Sequence, residues 1–189
     1  MKHEQEHRRR RSTRLRSWDY SWPWWYFVTI VVKDRHCLFG KIVDDEMRLN
    51  EFGRIVEEEW LKTPTVRSNV ELDAFVIMPN HVHGIMIIGE SVGATRRVAP
   101  KKPMRATSQV APTKTLVSGS LGAIIGQFKS KVAKRINTLW GTHGVPLWQR
   151  NYYDHIIRND ADLHRIRTYI SNNALQWSMD EENPENARP

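Results

Sequence analysis

Two apolar runs, Ala74 to Met78 and Ile85 to Ile88, flank Pro79-Asn80 in the stretch from Asp73 to Ile88. Proline cannot donate a ladder hydrogen bond, so the first run ends there or lies at a sheet edge. A second strand then begins near His81, and the pair predicts a hairpin at the centre of the fold. Side chains two apart in a strand share a face. His81 and His83 therefore aim side by side while Val82 turns the other way. Two neutral imidazoles held like this form a preformed chelate for a divalent metal. They can equally be ordinary half-buried strand residues, and spacing alone leaves both readings open. A nucleotide-hydrolase reading favours a third histidine at the next alternate position, which is Ile85.

The remaining periodicity is that of an α+β domain. Phe27 to Val32 is continuous and β-branched, which reads as a buried strand. Trp25 and Phe27 fill the end of the core, although the aromatics between Trp18 and Tyr26 could also stack unpaired bases. Lys33 to Val43 reads as turn or extended chain. A helix is predicted over Glu51 to Leu61, capped by Asn50 and ended by Pro64. Its apolar stripe is Phe52, Ile55, Val56 and Trp60, with Glu57, Glu58 and Glu59 on the wet face. Another runs from Ser118 or Ser120 to about Thr138, burying Leu121, Ile124, Ile125, Phe128, Val132 and Ile136. Leu147 to Ile157 is aromatic-rich and extended. A last helix starts at Asn159 or Asp160 with a seam of Leu163, Ile166, Ile170, Ala174 and Trp177. Tyr169 and Asn173 lie four apart on one flank of that seam.

Charge divides the chain further. Within a total of +8, residues 1–17 carry +5, residues 91–115 carry +6 and residues 118–137 carry +4, so the rest is −7. An acidic body with three basic segments predicts polyanion contacts, with nucleic acid the favoured partner over an anionic membrane surface or a merely solvated loop. The candidate contacts are Arg8, Arg9, Arg10 and Arg11 in an amino-terminal arm, Arg96, Arg97, Lys101 and Lys102 in a loop, and Lys129, Lys131, Lys134 and Arg135 on the helix. Those last four also suit the negative end of a helix dipole. The expected organisation is a basic disordered arm at 1–17, one domain at 18–178 with a mobile basic loop at 91–114, and an acidic tail at 179–189 with no fold signal. The single Cys37 excludes an intramolecular disulfide and fits a reducing compartment. No apolar run reaches membrane-spanning length, and the amino terminus lacks a signal-peptide core.

Tyr169 taken alone is one of five tyrosines and reads as a packing residue. A tyrosine oxygen can also attack a phosphodiester and form a covalent intermediate. That chemistry needs the developing phosphoryl charge to be stabilised, which a divalent metal supplies.

Met78-Pro79-Asn80-His81-Val82-His83-Gly84 resembles the His-hydrophobe-His motif of the single-tyrosine HUH endonucleases, and specifically the bacterial REP-associated tyrosine transposases. Tyr26-Phe27-Val28-Thr29 is similar to the family's first strand, and Leu38-Phe39-Gly40 to the turn that follows. The segment from Trp148 to Asn159 resembles the approach to the catalytic helix, and Tyr169-Ile170-Ser171-Asn172-Asn173 the tyrosine motif. The resemblance implies a ferredoxin-like antiparallel sheet with packed helices. It implies His81, His83 and Asn173 as ligands of Mg²⁺ or Mn²⁺ and Tyr169 as nucleophile. The implied reaction cleaves and rejoins single-stranded DNA at hairpin repeats through a 5′-phosphotyrosine. The implied setting is the cytoplasm of a bacterium, on the nucleoid, as a monomer or homodimer. One departure is Ala174, where the family commonly has proline, so the helix is expected to run on through Asn173. A sequence-specific DNA-binding protein without chemistry, and a metal-dependent phosphoesterase using water, are the competing expectations.

Overall fold

The computed structural model describes Leu15, residues 18–89 and residues 117–186. The arm and loop candidates Arg8, Arg9, Arg10, Arg11, Arg96, Arg97, Lys101 and Lys102 lie outside the described residues, as do nearly all of 1–17 and the whole of 91–114. No helix among the described residues is long and apolar enough to cross a membrane.

Four strands form the main sheet: β1 (Trp25–Val31), β4 (Val70–Ile77), β5 (His81–Ile88) and β6 (Tyr153–Ile156). Their order is β4-β5-β1-β6 with every neighbouring pair antiparallel. Helix α1 (Glu51–Leu61) links β1 to β4, and α3 (Leu121–Leu139) links β5 to β6. This is the split β-α-β of a ferredoxin-like α+β fold. A further helix, α4 (Asp160–Ser171), follows β6 and covers the opposite face of the sheet.

Strand alternation sorts the two layers. Tyr26, Val28 and Ile30 of β1 and Val82 and Met86 of β5 point into the main core with α1 and α3. Trp25, Phe27 and Ile85 point the other way, against Leu163, Ile166 and Ile170 of α4. Because both faces are covered, all seven residues of β1 are buried. Trp25 and Phe27 do fill the second core, as the sequence suggests.

Most helix ends follow from local capping. Asn50 accepts from the Gly53 amide at 3.0 Å and Asn159 from the Asp162 amide at 2.8 Å. Four expectations are corrected, and the reading of Lys33 to Val43 as turn or extended chain is made specific. Pro64 does not simply end a helix: it sits in the first turn of a short helix, α2 (Thr63–Val66), where its missing N–H costs nothing. Glu59 is buried rather than wet, because Arg135 reaches across from α3 to both Glu58 and Glu59 at 2.9 and 2.8 Å. Lys33 to Val43 contains a short 3₁₀ turn and a strand, β2 (Gly40–Val43), which pairs with β3 (Glu46–Leu49). That hairpin turns on Asp44 and Asp45, both at positive φ, a two-residue turn that aspartate tolerates without announcing it as Asn-Gly does. The basic residues of α3 end before its last turn, so they do not sit on the negative end of the dipole. Helix α4 stops at Ser171, so Asn173, Ala174 and Trp177 lie beyond it and not on its seam.

Gly84 fixes how closely α1 approaches the sheet. A Cβ there would stand 2.2 Å from Trp60 Cζ2 and 2.8 Å from Cη2. The Trp60 ring is fully buried between Phe75 and Phe128 and has no room to retreat. Gly84→Ala is therefore expected to destabilise the protein by about 3 kcal/mol, the upper end for overpacking. Urea unfolding should show a lower midpoint at unchanged slope.

Candidate active site

The register of β1 against β5 pairs Thr29 with His83 and Val31 with His81. Alternation then puts Thr29, His81 and His83 on the face that α4 covers. His81 is fully buried and His83 nearly so. Their Nε2 atoms converge to 2.9 Å. Behind them, His83 Nδ1 lies 2.8 Å from Thr29 Oγ1, and His81 Nδ1 lies 2.8 Å from Asn80 Oδ1. Phe27 stacks on the His83 ring and Trp177 lies over His81, which keeps both rings from rotating.

Helix α4 brings Tyr169 to the same point. Its hydroxyl lies 3.1 Å from His83 Nε2. The helix is anchored at β4, whose pairing with β5 shifts register between Leu72 and Phe75, the stretch that holds Asp73. Arg167 grips that carboxylate through two bonds, at 2.7 and 2.6 Å. These bonds hold the Asp73 carboxyl below its usual range.

Beyond Ser171 the chain turns back. Asn173 is buried in that turn, its amide donating to the Ile170 carbonyl at 3.3 Å. Its Nδ2 donates to Asp180 Oδ2 at 3.4 Å, and its Oδ1 is buried without a hydrogen-bond partner. Asp180 Oδ2 stands 3.9 Å from His81 Nε2. The segment after Ser178, which carries no fold signal in the sequence, is therefore part of the site. It forms 3₁₀ turns at Trp177–Met179 and Pro184–Asn186 and is pinned by Glu182 to Arg35 at 2.6 Å.

His81, His83 and Asp180 offer ligand atoms within 4.8 Å of one another and could hold a metal ion. The donor set suits one: two imidazole nitrogens, a carboxylate and a buried amide oxygen left without a partner. Burial pushes His81 down from the usual 6.5 to about 4, against the opposing pull of the Glu182 charge and the Asn173 side chain. Burial, then the neighbouring His81, holds His83 well below its usual value. Both rings are therefore neutral, the form that binds metals. The Tyr169 phenol is pushed up to about 12, first by burial and then by the Asp180 charge, with Asn173 pulling the other way.

A stability consequence follows for the metal-free protein. As pH falls below 6.5, unfolded His81 takes up a proton that the folded ring refuses until about pH 4. Stability is thus full above pH 6.5 and falls between there and pH 4, by about 3 kcal/mol from His81, with His83 adding in the same direction. Urea unfolding in chelator at stepped pH should show this decline, and His81→Gln should flatten it.

The basic residues of α3 are not brought to this face. Lys129 turns inward, donating to the Gln149 and Asn151 carbonyls, and burial pulls it down to about 8. Arg135 is held by Glu58 and Glu59, which leaves Lys134 exposed and Lys131 half-buried on the far side of the sheet. Sequence reasoning missed Asp180, which stands in an acidic run without periodicity. It also missed Thr29 and Asn80, whose roles appear only with the strand register.

No protein-family model matches the chain. An uncharacterized protein of Haemophilus influenzae is 37% identical over 180 residues, spanning 91% of this chain and 92% of its own. Two solved structures are more distantly similar. One is a REP-associated tyrosine transposase bound to a REP hairpin, at 17% identity and TM-score 0.48, over 82% of this chain and 68% of that one. The other is a candidate transposase of Deinococcus radiodurans, at 18% identity and TM-score 0.40, over 84% and 95%. Neither likeness is close enough to bear on function.

Proposed function

The chain belongs to one family with the uncharacterized Haemophilus influenzae protein, and we propose that it is a transposase-like enzyme that cleaves and rejoins single-stranded DNA at hairpin repeats. The observation that carries this reading is the meeting of the Tyr169 hydroxyl with a buried pair of neutral imidazoles, 3.1 Å from His83 Nε2. A phenol beside metal-binding groups is the arrangement that tyrosine attack on a phosphodiester requires.

In this reading Tyr169 Oη attacks the scissile phosphorus, the P–O3′ bond breaks, and the proton lost by the phenol is matched by one gained at the departing 3′ oxygen. The products are a 5′-phosphotyrosine and a free 3′-hydroxyl. Reversal by another 3′-hydroxyl rejoins the strand without nucleotide hydrolysis. His81, His83, Asp180 and Asn173 would hold a divalent ion, Mg²⁺ or Mn²⁺, which when bound supplies charge stabilisation at the phosphate. Asp180 is the second-largest reason that the phenol stays protonated. Neutralising its charge therefore makes the proton easier to lose. Phe27 sets the phenol's direction, its ring meeting that of Tyr169 edge-on at 6.1 Å. The DNA contacts assigned to Arg8–Arg11, Arg96, Arg97, Lys101, Lys102, Lys131 and Lys134 are part of this proposal and rest on their charge.

The test uses single-stranded hairpin DNA labelled at either end, incubated with the protein in Mg²⁺ or Mn²⁺ and run on a denaturing protein gel. Label carried to the protein from 3′-labelled strands only is the expected result. Cleavage without an adduct moves the reading to a water-using phosphoesterase. Retarded but intact DNA moves it to a binding protein without chemistry.

A further inference from the structure

Asn80 is fully buried at the tip of the β4–β5 hairpin. Its Nδ2 donates to the Arg35 carbonyl at 2.9 Å and the Glu182 carbonyl at 2.7 Å. Carbonyl oxygens only accept, so this end of the amide is the NH₂ group, and both hydrogens are used. The other end is then Oδ1, which also only accepts, and it lies 2.8 Å from His81 Nδ1. The His81 hydrogen must therefore sit on Nδ1. Its Nε2 presents a bare lone pair to the site.

His83 has no such constraint. Its Nδ1 faces the Thr29 hydroxyl at 2.8 Å, and a hydroxyl can donate or accept. The two Nε2 atoms stand 2.9 Å apart, and His81 Nε2 carries no hydrogen. That contact is a hydrogen bond only if His83 Nε2 donates, with Thr29 donating in turn to His83 Nδ1. Moving the His83 hydrogen to Nδ1, with the Thr29 hydroxyl rotated to accept it, bares both Nε2 atoms together.

We propose that Asn80 is a positioning residue that presets His81 as an Nδ1–H ligand, while Thr29 leaves His83 switchable, so that uptake of a divalent ion shifts one hydrogen within His83 alone. The part concerning the ion rests on the metal-site reading above; the part concerning Asn80 does not. The carboxy-terminal turn belongs to this device, since the Glu182 carbonyl is one of the two acceptors that orient the amide, and the Glu182 side chain is tied to Arg35 at 2.6 Å. Outer partners of this kind orient ligands and are commonly as sensitive as the ligands themselves.

The experiment uses the full chain labelled with ¹⁵N-histidine. Long-range proton–nitrogen spectra at neutral pH report which ring nitrogen carries the hydrogen, first in chelator and then with Mg²⁺. His81 should be Nδ1-protonated in both, and His83 should change from Nε2 to Nδ1 on adding Mg²⁺. Asn80→Leu should release the His81 form and weaken Mn²⁺ binding by about 10- to 100-fold. Wild-type His81 protonated on Nε2 overturns the proposal, and so does an Asn80→Leu protein that folds and keeps Mn²⁺ affinity within about threefold. Should Asn80→Leu fail to fold, the wild-type spectra decide, since they read the His81 form directly. A wild type that binds no divalent ion overturns the metal-site reading and the His83 shift, while Nδ1-protonated His81 in chelator still supports the role of Asn80.

Discussion

Tyr169→Phe is expected to abolish the covalent protein–DNA adduct and to lower strand cleavage by about 10⁴-fold or more, the scale on which losing a nucleophile acts. The substitution removes one oxygen and keeps the ring, which is 39% exposed and packs edge-on against Phe27. Fold, hairpin affinity and Mn²⁺ affinity should therefore stay near wild type. The control is Tyr153→Phe. Tyr153 is also exposed, and its ring lies 6.3 Å from that of Phe27 on the same face. Among the described residues no hydrogen bond joins it to either imidazole, unlike Tyr169, and its loss should leave the adduct intact. An adduct that survives Tyr169→Phe and vanishes with Tyr153→Phe would reassign the nucleophile. Cleavage that survives both substitutions would mean that water attacks.

His83→Ala should remove Mn²⁺ binding and cleavage together, each by about 10²-fold or more. His83 is the residue on which the site converges: His81, Thr29 and Tyr169 all lie within 3.1 Å of its ring nitrogens. Calorimetric titration with Mn²⁺ and the labelled-strand assay measure the two losses, and thermal unfolding shows whether the fold survives. The pairing with Tyr169→Phe is informative, because that variant should lose chemistry and keep the metal. His83→Ala that binds Mn²⁺ as wild type does would dismiss the metal-site reading whatever its activity.

The two substitutions probe features of different origin. His81 and His83 were legible because a period of two is a property of any strand, and Pro79 sets where that strand can begin. Helix α1 was legible to the residue, since Asn50 caps it locally. The buried side of α3 followed from its apolar spacing. Arg135 and Lys129 were readable as charge but not as partners. Their bonds to Glu59 and to the Gln149 carbonyl span 76 and 20 residues. The β2–β3 hairpin was missed because Asp44-Asp45 is a weak turn signal.

Periodicity and capping act over a few residues and are written in the chain itself. They determined the alternation of strands and helices and the histidine face, whereas Tyr169 was singled out by the resemblance of its motif to a known family. What the tertiary structure alone decided is who meets whom: Thr29 behind His83, Asn80 between Arg35 and Glu182, and Asp180 returning beyond the helix end to face both imidazoles. Those contacts depend on strand register and on a chain reversal after Ser171. Neither leaves a local pattern, because each is settled by burial and hydrogen bonding across distant segments.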